Sequence, residues 1–126
     1  MENLEGKLLI VEDEPLIASL YQEFLIEYGF QSTICDNGAM ALKLYKKAQP
    51  AFDLVITDET MPEMTGTELS KALLALTPKL PIILLSGLTE VALTQANENL
   101  NISHYLKKPV SLFDLKDTIE ACLAIK

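Results

Sequence analysis

Leu8-Leu9-Ile10-Val11-Glu12-Asp13-Glu14-Pro15-Leu16-Ile17 changes its period partway along. Leu8 to Val11 form a continuous apolar run, the pattern of a strand buried on both faces. From Pro15 onward, Leu16, Ile17, Leu20, Tyr21, Phe24 and Leu25 recur at helical spacing. Pro15 suits the first helical position, because the N–H it lacks would be unpaired there anyway. Glu12, Asp13 and Glu14 then lie beside the positive end of that helix.

The strand-then-helix pair recurs along the chain. Strand-like runs stand at Ser32-Thr33-Ile34-Cys35, Leu54-Val55-Ile56, Pro81-Ile82-Ile83-Leu84-Leu85 and His104-Tyr105-Leu106. Helical stripes follow at Ala41/Leu44/Tyr45/Ala48, at Leu69/Ala72/Leu73/Leu76, and at Leu112/Leu115/Ile119/Cys122/Leu123. The less periodic stretch from Leu88 to Ile102 completes the series as a helix. Asp36-Asn37-Gly38 is a turn that can cap the second helix, and Ser111-Leu112-Phe113-Asp114 resembles a capping box. Repeated strand–helix pairs predict an α/β fold, a five-stranded parallel sheet with helices on both faces. The second and fifth strands are the more polar and belong at the edges, which favours the order 2-1-3-4-5. In such sheets the site lies beyond the carboxyl ends of the strands, where the winding reverses.

The composition agrees with one domain spanning 1–126: 126 residues, 13.9 kDa, 49% apolar, mean hydropathy +0.22. A formal charge of −8 leaves no basic face for nucleic acid and disfavours anionic membranes. No apolar run approaches the ~18 residues of a membrane span. The acidic start, Met1-Glu2-Asn3-Leu4-Glu5, lacks the plan of a signal peptide, so the expected compartment is the cytosol. Cys35 and Cys122 read as buried free thiols. Two cysteines and the single His104 are too few for a closed zinc site.

Glu12 and Asp13 follow the first strand, Asp58 the third, Ser86 the fourth, and Lys107-Lys108-Pro109 the fifth. Three carboxylates, a hydroxyl and an ammonium thus converge on one edge of the sheet. Carboxylates so close repel one another, and one takes up a proton unless a cation neutralises them. Magnesium, a hard cation with oxygen ligands, meets that need. Three carboxylates and Lys108 leave two negative charges, which one divalent ion balances, and the site then accepts an anionic phosphoryl group.

Taken in order, Leu8–Pro15, Asp53–Gly66, Pro81–Gly87 and Tyr105–Pro109 resemble the receiver domain of two-component response regulators, from Lys7 to about Ala124. The resemblance implies that Asp58 is the phosphoryl acceptor from a partner's phosphohistidine. It implies that Asp13, Asp58 and the backbone carbonyl of Thr60 ligate Mg2+, with Glu12 acting through water. Ser86 is the implied switch hydroxyl, Lys108 the second phosphoryl contact, and Tyr105 an aromatic switch. Tyr105 would reshape the face made by the helix over 88–102, the fifth strand and the last helix. The Lys108–Pro109 peptide is commonly cis in that family, and Gly66 and Pro62 shape the loop after the acceptor, Gly66 by adopting positive φ.

The implied partners are a sensor histidine kinase or histidine phosphotransfer protein and a downstream protein. The domain would promote its own phosphorylation and hydrolysis without being an enzyme on a second substrate. Glu12 stands where Asp is frequent, Thr65 where Asp is frequent, and Gly87 where Ala is common. The segment Asn97–Ile102 lacks the usual glycine. Wording around Thr65 and Gly87 resembles receivers of hybrid sensor kinases. A stand-alone regulator and a piece of such a kinase both fit. Three other functions fit the residues less well. A magnesium-dependent hydrolase with an aspartyl-phosphate intermediate wants a second Asp where Thr60 stands. A flavodoxin-like carrier wants a hydroxyl-rich phosphate loop where Glu12-Asp13-Glu14 stand. A pseudo-receiver that binds partners without phosphate would not need the complete acidic set.

Overall fold

The computed structural model describes residues 6–48, 51–87 and 102–124. Their elements run β1 (Lys7–Val11), α1 (Pro15–Ile26), β2 (Gln31–Cys35), α2 (Gly38–Lys47), β3 (Leu54–Asp58), α3 (Gly66–Leu76), β4 (Ile82–Ser86), β5 (His104–Lys107) and α4 (Leu112–Ala124). The five strands pair in parallel in the order β2-β1-β3-β4-β5, as the polarity of the edge strands predicts. All of the helix expected over 88–102 except its last residue lies outside the described residues.

Strand alternation sorts the core into two layers. Leu8 and Ile10 of β1, Leu54 and Ile56 of β3, and Ile83 and Leu85 of β4 pack with Tyr21 and Leu25 of α1 and with Leu115, Ile119 and Leu123 of α4. Leu9, Val11, Val55 and Ile82 face the other way, toward Ala41 of α2 and Leu69, Leu73 and Leu74 of α3. β1, β3 and β4 are therefore apolar at nearly every position, because helices cover both of their faces.

Asn37 caps α2, its Oδ1 accepting from the Met40 N–H at 2.8 Å, as the turn predicts. At α4, Ser111 Oγ accepts from the Asp114 N–H at 3.3 Å. A reciprocal capping box between Thr65 and Glu68 opens α3. The stripe expected on α1 needs correction. Leu16 and Leu20 are 87% and 52% exposed, while Ala18, Tyr21 and Leu25 are buried. At about 100° per residue, Leu16 and Leu20 fall on the far side of the helix from those three. An uninterrupted apolar sequence does not reveal which row faces the sheet.

Candidate functional site

The alternation that builds the core also places the chemistry. Leu8 and Ile10 face the α1 layer, and Glu12 continues that series beyond the end of β1. Leu54 and Ile56 do the same for Asp58, and Leu106 does so for Lys108. Three strands thus deliver two carboxylates and an ammonium to one side of one edge. β1 and β3 are adjacent, with Val11 paired to Thr57, so Glu12 and Asp58 meet at the switch point of the sheet.

Glu12 and Asp58 are buried, 1% and 2% exposed, whereas Asp13 is exposed at the rim. Carboxylate oxygens of the three lie within 4.8 Å of one another, the only such metal-competent group among the described residues. Lys108 Nζ stands 2.8 Å from Asp58 Oδ1 and 3.3 Å from Glu12 Oε1. Glu12 Oε2 accepts the Glu14 N–H at 3.1 Å. Neither Asp58 oxygen has a hydrogen-bond partner of good geometry, despite the short ion pair to Lys108. Two buried oxygens without a proper donor, flanked by two more carboxylates, fit a hard divalent cation. That is the fit expected for magnesium.

The protonation states agree. Burial, and then the adjacent Glu12 carboxylate, push the Asp58 carboxyl up to about 8, against the pull of Lys108. Burial also raises Glu12, but its proximity to Asp58, the Glu14 N–H it accepts and the charge of Lys108 outweigh that and lower it. Burial opposes the charge on Lys108, yet its two carboxylate partners hold it above the ordinary lysine value. Without a cation, burial and the neighbouring carboxylate favour the protonated form of Asp58.

The loop after Asp58 is tied tightly to β3. Gly66 donates its N–H to Glu59 O at 2.9 Å, and Glu59 Oε1 accepts from the Thr67 N–H and hydroxyl, both at 2.8 Å. A Cβ on Gly66 would meet the Asp58 carbonyl oxygen at 2.2 Å. Gly66 is therefore required by close approach and not by positive φ, which corrects the expectation from sequence. The positive φ in this loop belongs to Glu63, at 71°. The Met64 N–H returns to Pro62 O at 2.7 Å across it, closing a γ-turn. Met61 is buried in the core layer under α3, as a packing residue.

Ser86 is buried, and its carbonyl accepts the Lys108 N–H at 2.8 Å, which couples β4 to the lysine. Tyr105 is half-buried. Its strand partner is Leu84, so Tyr105 and Ser86 share the sheet face opposite to Asp58 and Lys108. Thr60 is exposed two residues after Asp58, and the Lys108–Pro109 peptide is cis. Tyr21, which the sequence marks only as an apolar-stripe position, stands in the field of Lys108, Glu12 and Asp58. Burial pushes its phenol up to about 12. It lines a groove of about 440 Å3 with Glu14, Ile17, Lys108, Pro109 and Val110.

Residues 8–120 match the family model for the response regulator receiver domain. The chain is 34% identical over 118 residues to the response regulator receiver protein CpdR of Brucella abortus, covering 93% of this chain and 96% of that one. It is 30% identical over 111 residues to the two-component response regulator ORR21 of rice, covering 88% of this chain but only 16% of that protein. Among solved structures, the chemotaxis response regulator CheY4 of Vibrio cholerae superposes with a TM-score of 0.85 at 28% identity, covering 94% and 98% of the two chains.

Proposed function

The chain belongs to the response regulator receiver domain family, and on that premise we propose that Asp58 is its phosphoryl acceptor. The family places the domain in phosphoacceptor signalling within two-component systems. The observation that carries the residue assignment is Asp58 itself: buried, without a hydrogen-bond donor of good geometry, and 2.8 Å from a lysine.

In this reading an Asp58 carboxylate oxygen attacks the phosphorus of a phosphohistidine on a sensor kinase or phosphotransfer protein. The P–N bond breaks as the P–O bond forms, and the imidazole leaves with its electron pair and takes up a proton. Asp58 must first release the proton that burial favours. Asp13 and Asp58, the Thr60 carbonyl and, beside them, Glu12 would hold magnesium, which supplies positive charge to the transferring phosphoryl oxygens. Lys108, 2.8 Å from Asp58, contributes a second positive charge beside the acceptor. The Ser86 hydroxyl bonds the resident phosphoryl group, and Tyr105, on the same face as Ser86, follows its movement.

The whole of 1–126 then acts as one receiver unit in the cytoplasm, a carrier of the phosphoryl group that promotes its own loading and hydrolysis. Thr60, which has no ionisable proton, argues against the hydrolase alternative.

Incubation with phosphoramidate and magnesium should add one phosphoryl group by intact mass. Chelation of the metal, or Asp58→Asn, should abolish the gain. Undiminished uptake by Asp58→Asn would overturn the assignment.

A further inference from the structure

Glu59, the residue after the acceptor, is bonded through its N–H, its carbonyl and its side chain. The N–H donates to Leu85 O of β4 at 2.8 Å, and the carbonyl accepts the Gly66 N–H at 2.9 Å. The carboxylate reaches on to α3, where Oε1 accepts both the N–H and the hydroxyl of Thr67 at 2.8 Å. The first turn of a helix presents N–H groups that have no partner inside the helix. At α3 the capping box serves two of them, on Thr65 and Glu68. Glu59 takes the next two, on Gly66 and Thr67. Thr65 alone would suffice to start the helix, so the second anchor adds a tie between α3 and the strand that carries Asp58. The peptide before Glu59 is held as well, since the Thr57 hydroxyl donates to the Asp58 carbonyl at 2.9 Å. Both peptides flanking Glu59 are thus fixed, and the next fixed point is the buried Met61. Between them stands the exposed Thr60, whose two soft dihedrals alone are left to aim its carbonyl.

We propose that Glu59 is a positioning residue for the magnesium site, clamping the loop to α3 so that the Thr60 carbonyl is held ready for the ion. This role rests on the ligand set proposed above, in which that carbonyl joins Asp13 and Asp58. Glu59 is not itself a ligand: Oε1 is occupied by two donors, and the carboxylates close enough to share an ion are those of Glu12, Asp13 and Asp58. Magnesium demands near-ideal octahedral geometry, so a ligand that must first be ordered binds it more weakly. Loss of a group that orients a metal ligand lowers affinity about 10–100-fold. The Glu59 carboxylate also adds negative charge near the ion, and the two effects are separable. Gln keeps an acceptor oxygen at the same reach and drops the charge.

Magnesium titration of the whole chain, followed by calorimetry and by the carbonyl-carbon resonance of Thr60, tests the clamp. In the wild type that resonance should shift on saturation, and Asp13→Asn should remove most of the binding. Glu59→Ala should weaken binding about tenfold or more, and Glu59→Gln should stay within about threefold of the wild type. Should Glu59→Ala fail to fold, Thr67→Val decides, since it removes one of the two bonds to Oε1 and should weaken binding about threefold. Wild-type affinity in Glu59→Ala or, in its place, in Thr67→Val would overturn the clamp and leave the ligand set standing. So would a loss in Glu59→Gln as large as that in Glu59→Ala, which would assign the effect to charge. Binding undiminished by Asp13→Asn, or a Thr60 carbonyl that does not respond to magnesium, would overturn the ligand set and the clamp with it.

Discussion

Asp58 holds an ionisable group in a place that disfavours its charge, and Lys108 and Ser86 divide the task of making that place usable. In the proposed function, Lys108 would present a charge to the phosphoryl anion and Ser86 one neutral hydrogen bond. A charged hydrogen bond contributes roughly 1.5–3 kcal/mol and a neutral one about 0.5–1.5. Lys108→Ala should therefore lower the steady-state level of phosphorylated protein more than Ser86→Ala does, as read by intact mass. Ser86→Ala should still load, yet fail to shift the amide resonances around Tyr105. A full wild-type shift pattern in phosphorylated Ser86→Ala would break the link between the hydroxyl and the ring. At this scale the sequence was informative about residues that terminate strands. Glu12, Asp58, Ser86 and Lys108 each follow an apolar run, and a strand fixes where the next side chain goes. It was mute about Glu63 and Tyr21, because a γ-turn and the field around a buried phenol arise only from tertiary contacts.

Between elements, the contact that matters most is the start of α3 against the end of β3. Gly66 opens the helix and lies against the backbone of Asp58, so a shift of Asp58 is coupled to α3. Gly66→Ala places a methyl group against the Asp58 carbonyl oxygen and Leu84, where neither backbone nor core yields easily. Overpacking of this kind costs about 1–3 kcal/mol. Urea unfolding should show a lower midpoint, corresponding to a loss of stability of about that amount, and phosphoryl uptake should fall with it. An unchanged midpoint would mean that the loop has slack. Strand order and the α2 cap were legible because edge polarity and the Asn37-Gly38 turn are local signals. The α1 face was not, because Leu16, Ile17, Leu20 and Tyr21 are all apolar and only the neighbours decide which are covered.

Over the whole molecule, the acidic site should set how stability varies with pH. In the metal-free protein Asp58 binds its proton up to about pH 8 when folded but only to about 3.9 when unfolded. Between those values the native state holds more protons than the unfolded one, so stability falls as pH rises. Glu12 has the opposite sign, since its lowered value adds stability that is lost as pH falls through the acid range. In the presence of a chelator, the wild type should lose stability relative to Asp58→Asn from pH 5 to pH 8.5, measured by urea unfolding. Parallel profiles would contradict the raised Asp58. Added magnesium should bind more tightly over the same interval, since it displaces that proton.

The central claim is that the phosphoryl group resides on Asp58 as an acyl phosphate. Borohydride reduction of the phosphorylated domain converts an aspartyl phosphate to homoserine, which peptide mass spectrometry locates. The expected result is homoserine at position 58 alone, in proportion to the phosphoryl group taken up. Homoserine at another acidic position, or none in a protein that retains its added phosphate, would contradict the account.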